Sequence, residues 1–402
     1  MSGTVPARRG PRLFMIAGEA SGDLLGAALL RGLRELGEPP SALEGVGGPA
    51  MAAEGLASRF PMAELSVMGV AEVLPRLPSL LARIRETAAA VTDFRPDALI
   101  TIDSPDFCLR VARKARAALP DLRVIHYVAP SVWAWRPGRA AKMARSVDHV
   151  LALLPFEPPY MQAAGMTCDF VGHPVVAEPV ATAGEQAALR ASLGIEADQP
   201  LILLLPGSRR GEVSRLAPVF AEVGRALRAR HPDLALLVPT MPPVADLVRD
   251  LMPPDAQGWP KLMGEAAAPQ AEAGLRKRAA FATADVALAA SGTVSLELAA
   301  AGTPMVIAYR MNALSAFLAR RLVKVASPTL VNIVTESRAI PEFLFEDCVP
   351  EKIAPAVAAL LEDPEAGSKQ RAAEDRAMEL LGRGGEPPGT RAARSVLSAI
   401  GR

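Results

Sequence analysis

Leu13-Phe14-Met15-Ile16-Ala17-Gly18-Glu19-Ala20-Ser21-Gly22-Asp23 is the stretch that decides the fold. Five apolar residues in a row, broken at Gly18 and Glu19, suit a short strand buried on both faces. Beyond Asp23 the period changes: Leu25, Ala28, Leu29, Leu33 and Leu36 recur at three- and four-residue spacing, which predicts a helix from Asp23 to Gly37. A strand that feeds a helix through a glycine-rich turn opens a βαβ unit.

Outward from this unit, short apolar runs at 98–102, 123–128, 147–154 and 169–171 end at polar or Gly/Pro punctuation and are predicted strands. Gly172-His173-Pro174 closes the series, and residues 178–199 suit a connection followed by a short helix. The set restarts at 201–205, ahead of Pro206-Gly207-Ser208, with later strands at 234–238, 286–289 and 305–308. The expected fold is α/β, with two doubly wound Rossmann-like domains at 1–180 and 181–402 whose strand-end loops face one cleft. A chain of 402 residues also fits two hydrophobic cores better than one.

Half of the residues are hydrophobic and 22% are charged, an ordinary globular balance. The formal net charge of +1 gives no bulk attraction for nucleic acid, which is therefore not expected as a partner. Cys108, Cys168 and Cys348 lie far apart, no histidine stands at ligand spacing and no D-x-D occurs, so neither a metal nor another cofactor is expected. The run at 13–17 is too short for a signal peptide, and no window approaches the roughly 18 apolar residues of a spanning helix. A cytoplasmic protein with at most peripheral membrane contact follows.

Five loops could carry chemistry. After the first strand, Glu19, Ser21 and Asp23 suit a sugar hydroxyl better than a phosphate, which two carboxylates would repel; a helix cap at Ser21 or Asp23 is the competing reading. In Ile102-Asp103-Ser104-Pro105-Asp106-Phe107, Asp103 stands at the C-terminal end of a buried strand, where a carboxylate can take a proton from an attacking hydroxyl, although a cap at Asp103 or Asp106 has the same pattern. Ser131, Trp133, Trp135 and Arg136 form an aromatic-basic loop after the next strand, suited to stacking a sugar and holding a phosphate, or else to packing between domains. In the second half, Gly207-Ser208-Arg209 suits a diphosphate. Ser291-Gly292-Thr293 opens a helix whose Glu297, one turn on, can accept bonds from ribose hydroxyls; an ordinary cap is the alternative for the Ser-Gly-Thr turn.

Two segments are more apolar than surface connections require. Residues 60–81, with Val67, Met68, Val70 and Leu74, read as core helix plus loop or as a patch that meets acyl chains or a bilayer. Residues 312–326 suit an amphipathic helix with Phe317 on the apolar side and Arg320, Arg321 and Lys324 nearby, either a solvated basic face or one drawn to anionic lipid or phosphate.

Taken together the segments resemble the lipid-A-disaccharide synthase family, inverting glycosyltransferases of the GT-B architecture. The matching stretches are GEASGD at 18–23, GVGG at 45–48, IDSPDF at 102–107, HYVAPSVWAWR at 126–136, LPFE at 154–157, FVGHP at 170–174, LPGSR at 205–209, ASGTVSLE at 290–297, and YRMN with LARRLVK within 309–324. The resemblance implies transfer of a diacylated glucosamine from its UDP derivative to the 6-hydroxyl of diacylglucosamine 1-phosphate, giving a β-1,6 disaccharide and UDP, in the lipopolysaccharide pathway of Gram-negative bacteria. It implies Asp103 as the base, and Ser208, Arg209, Ser291, Gly292, Thr293 and Glu297, with Arg310 and Asn332, around the UDP. It also implies a peripheral enzyme on the cytoplasmic face of the inner membrane. Cys108, where relatives commonly carry Asn, and Leu330-Val331-Asn332, where they read Leu-Pro-Asn, are departures. Two alternatives are a UDP-sugar epimerase or hydrolase of the same architecture, and a non-catalytic nucleotide-binding module at a membrane surface. A homodimer stays open, because residues 389–402 could return to the first domain or exchange between subunits.

Overall fold

The computed structural model describes residues 9–65, 70–133, 138–264, 270–311 and 327–402. The chain divides into two compact units, Met1–Ala177 with Gly384–Arg402, and Glu178–Arg383. The first holds a six-stranded sheet in the order β2-β1-β3-β4-β5-β6, from β1 (Arg12–Ala17), β2 (Ala42–Val46), β3 (Ala98–Ile102), β4 (Val124–Tyr127), β5 (His149–Ala152) and β6 (Thr167–Phe170). All its pairings are parallel. The second sheet runs β12-β11-β10-β7-β8-β9, from β7 (Leu201–Leu205), β8 (Ala235–Pro239), β9 (Lys261–Met263), β10 (Val286–Ala290), β11 (Met305–Tyr309) and β12 (Glu342–Leu344), again parallel throughout. Two doubly wound α/β sheets are thus present, as the alternation of elements predicts.

Strand period explains the first core. Leu13, Met15 and Ala17 of β1 join Ile100 and Ile102 of β3 on one face, beneath Leu25, Leu29 and Leu33 of the helix Ala20–Glu35. Phe14 and Ile16 join Leu99 on the other, beneath Val111 and Ala115 of the helix Pro105–Ala118. The helix Ala20–Glu35 begins three residues ahead of its expected start, with Gly22 inside it. A Cβ on Gly22 would lie 3.4 Å from Ile102, so this glycine serves close helix–strand packing more than the turn.

The chain's last helix, Pro388–Ala399, covers the same face beside the helix Ala20–Glu35. The two backbones nearly touch: a Cβ on Gly32 would sit 2.5 Å from the Gly389 carbonyl oxygen. Thr390 Oγ1 donates to Glu35 at 2.8 Å, and Ser395 Oγ donates to Asp169 at 2.6 Å and meets His149 Nε2 at 2.7 Å. Val396, fully buried there, contributes about 1.5–3 kcal/mol.

Candidate functional site

In each sheet the strand order reverses at one point, where connections leave in opposite directions and open a crevice at the C-terminal strand ends. In the first unit that point lies between β1 and β3. Gly18 follows β1 and Asp103-Ser104 follow β3, and a Cβ on Gly18 would fall 2.3 Å from Ser104 Oγ. Any larger residue there would force Ser104 to shift.

Asp103 and Ser104 both hold left-handed backbone, at φ 51° and 42°, before Pro105 starts its helix. The Asp103 amide donates to the Tyr127 carbonyl at 3.0 Å, and the residue is half-buried. Burial, and after it the nearby Asp103 charge, pushes the Cys108 thiol far up, so the carboxylate is electrostatically close to the first turn of the helix. On the neighbouring strand Val128 stands at φ 84°, unusual for a β-branched residue. Each such residue costs about 1–3 kcal/mol, and strain of this kind collects where geometry serves a site. Three of them in two adjacent strand-end loops mark this edge, and the sequence carries no sign of it.

The loop after β4 brings Ser131, exposed, and Trp133, half-buried, to the same edge. The Trp133 ring packs edge-on to Phe156 at 5.1 Å between centroids, and its Nε1–H donates to Glu157 Oε1 at 3.3 Å. Glu157 was not singled out from the sequence, although it ends the LPFE stretch after β5. It is 3% exposed, and desolvation lifts its carboxyl to about 7 against the pull of its hydrogen bonds.

Asp23 is not a sugar ligand in this arrangement. It is buried, and its two oxygens accept the amides of Gly48 at 2.8 Å, Ala50 at 2.8 Å and Met51 at 3.0 Å. Its carboxylate caps the short helix Pro49–Ala53 and ties GVGG to the first helix, so the capping alternative describes it, with a remote helix as the one capped. Glu19, half-buried, and Ser21, exposed, remain at the edge.

In the second unit the reversal lies between β7 and β10. After β7, Gly207 has φ 109°, and a Cβ there would meet Glu212 at 2.8 Å. Ser208 and Arg209 are exposed, with Arg209 Nη1 3.3 Å from Glu212. After β10, Ser291-Gly292-Thr293 leads into the helix Val294–Ala301; no side chain caps it, and a Cβ on Gly292 would meet nothing within 4 Å. Open space beside uncapped amides suits an anion. Glu297 pairs with Lys277 at 2.7 Å, and burial followed by the Glu297 charge raises the nearby Glu178 carboxyl. Lys277 lies in the polar helix Gln270–Thr283, which gave no site signal. Arg310 is exposed just past β11, the neighbour of β10.

Asn332, expected at the nucleotide, is 2% exposed and engaged within the fold. Its Nδ2 donates to the Ile340 carbonyl at 2.9 Å and to Glu342 at 3.2 Å, and its Oδ1 accepts the Ile340 amide at 3.0 Å. With both donor hydrogens and its oxygen used, it braces the loop whose Pro328 carbonyl accepts from Ser291 Oγ at 3.2 Å. Trp135, Arg136, Val67, Met68, Phe317, Arg320, Arg321 and Lys324 lie outside the described residues, and of Val70 and Leu74 only the helical backbone, Val70–Phe94, is described. Among the described residues no helix is long and apolar enough to cross a membrane, and no group of three or more His, Cys, Asp or Glu side chains is placed to hold a metal.

A family model described as lipid-A-disaccharide synthetase matches residues 13–386. The chain belongs to this family. It is 59% identical over 403 residues to the lipid-A-disaccharide synthase of Ruegeria pomeroyi, covering 99% of both chains, and 48% identical to that of Rhodospirillum centenum, covering 96% of this chain and 94% of the relative. Among solved structures it is similar to the UDP-GlcNAc 2-epimerase from Neisseria meningitidis bound to UDP-GlcNAc, with a TM-score of 0.63 at 12% identity, covering 96% of this chain and 98% of that one. That likeness concerns the fold alone. Cys108 and Val331, the two positions expected to depart from the family pattern, are each 0% exposed.

Proposed function

We infer that the chain is a hexosyltransferase that forms the lipid A disaccharide, joining a UDP-linked diacylglucosamine to diacylglucosamine 1-phosphate with release of UDP. The observation that carries this reading is the family match from residue 13 to 386 together with 59% identity to a named synthase along the whole length. The fold would serve an epimerase equally well, so relatives of the fold do not separate the two activities; the sequence relatives favour the synthase.

In this mechanism Asp103 takes the proton from the acceptor 6-hydroxyl as that oxygen attacks the anomeric carbon, on the face opposite UDP. A β linkage results, with inversion. The C–O bond to the diphosphate breaks as the new one forms, and the charge that develops on UDP falls to the amides and hydroxyls of Ser291–Thr293 and to Arg209, without a metal ion. Support comes from the half-buried carboxylate at one strand-order reversal, and from uncapped amides with open space at the other. Glu297 accepts from the ribose, and Lys277, 2.7 Å away, orients it. Glu19, Ser21, Ser131, Trp133, Trp135 and Arg136 take the acceptor sugar and its phosphate. The first unit therefore serves the acceptor and the second the donor. Peripheral contact with a bilayer belongs to the same proposal: Leu77 and Leu81, one turn apart on the helix Val70–Phe94, are 41% and 40% exposed and extend the apolar stretch that includes Val67 and Met68.

UDP release tests the reading. The protein is incubated with UDP-diacylglucosamine, with and without diacylglucosamine 1-phosphate, and with and without chelator. Release that needs the acceptor and survives chelation is expected. Acceptor-independent turnover favours an epimerase or hydrolase, and loss of release on chelation contradicts the metal-free mechanism.

A further inference from the structure

Glu157, like Asp23, is a buried carboxylate of the first unit, but one of the groups it holds is an aromatic ring. It is 3% exposed, yet both oxygens are engaged as acceptors: Oε1 from the Trp133 indole at 3.3 Å and Oε2 from the Leu154 amide at 3.0 Å. A carboxylate satisfies two donors at once. An amide cannot, because its NH2 end is a donor facing a donor, and a protonated acid accepts more weakly and adds a hydrogen that needs an acceptor of its own. The ring so held belongs to the loop that follows β4, and Phe156 presses against it edge-on.

We propose that Glu157 is a positioning residue for sugar recognition, its ionised carboxylate fixing the Trp133 ring at the strand-end edge and its protonation releasing that ring. The proposal rests on the reading of Trp133 as an acceptor contact. Burial raises the carboxyl to about 7, so the release falls at neutral pH rather than far below it. Among the described residues, the titratable group facing Glu157 is Cys168 of β6, whose thiol burial and then the Glu157 charge push up to about 12; it stays neutral throughout and does not mask the transition.

Two readouts test this, one of which needs no substrate. In a Trp135→Phe, Trp259→Phe background the fluorescence reports Trp133 alone, since the chain has three tryptophans. A transition centred near pH 7 is expected, and Glu157→Gln removes it. In kinetics, KM for diacylglucosamine 1-phosphate rises about tenfold from the alkaline to the acid side of neutrality with kcat little changed, and in Glu157→Gln it is high and flat. Trp133→Phe keeps an aromatic ring but deletes the donor, so the carboxylate no longer holds the ring and KM loses its pH dependence around neutrality, a check that stands even where Glu157→Gln fails to fold. A pH-invariant Trp133 signal, or the same transition in Glu157→Gln, overturns the proposal. A normal fluorescence transition with a flat KM profile overturns the acceptor role of Trp133 and leaves the positioning by Glu157 standing.

Discussion

Asp103 owes its proposed role to where the backbone puts it. It follows β3 with left-handed backbone, and its amide is tied to the Tyr127 carbonyl. Asp103→Asn keeps shape and backbone bond but removes the base, so kcat falls about 10²–10⁴-fold with KM for the donor little changed, as measured by steady-state kinetics on a variant that melts like the parent. Near-parental kcat removes Asp103 from the base role. Positions that follow a buried strand, such as Asp103 and Ser291–Thr293, were legible because the apolar run ahead of them fixes where the chain emerges. Polar side chains engaged far along the chain were not. Asp23 caps amides 25 to 28 residues away, and Asn332 braces a carbonyl eight residues away; residue type and spacing alone do not separate these from ligand groups. Glu157 and Lys277 escaped for the converse reason: their importance comes from what they touch, Trp133 and Glu297.

Among the elements, interior strands were legible, and of the edge strands only β6 was, in part, through the run at 169–171. β1, β3, β7 and β10 are buried along almost their whole length and show as continuous apolar runs. β2, β9 and β12 stand at sheet edges and are mostly half-exposed, so ALEGV, KLM and EFL carry no such run. The helix Pro364–Leu380 holds a third buried acid, after Asp23 and Glu157. Glu374 is 0% exposed, neither oxygen meets a hydrogen-bond partner among the described residues, and burial lifts its carboxyl to about 8. The unfolded chain ionises this group from about 4.5, whereas the folded chain keeps the proton to about 8. Between those limits the folded state binds more protons, so stability falls as pH rises and levels off above the upper one. Glu374→Gln, neutral at every pH, flattens that fall and raises Tm on the alkaline side. Thermal melts across the range check this, and an unchanged slope contradicts it.

At the level of the whole molecule, the chain leaves the first unit at residue 177 and rejoins it at 384. The returning helix Pro388–Ala399 closes the core of the unit that holds Asp103. A Cβ on Gly389 would stand 2.5 Å from the Ala28 carbonyl oxygen, a backbone atom that cannot turn aside. Gly389→Val therefore costs about 1–3 kcal/mol or more and lowers Tm, although the substitution lies in the last residues of a 402-residue chain. Unaltered melting contradicts that docking. The central claim, that the chain transfers a glucosamine unit to an alcohol, is tested most directly by the mass and linkage of the product made from defined UDP-diacylglucosamine and diacylglucosamine 1-phosphate. The predicted result is a single tetra-acylated β-1,6 disaccharide 1-phosphate, absent when the acceptor is withheld. Free diacylglucosamine, an epimerised donor or an α linkage would contradict it.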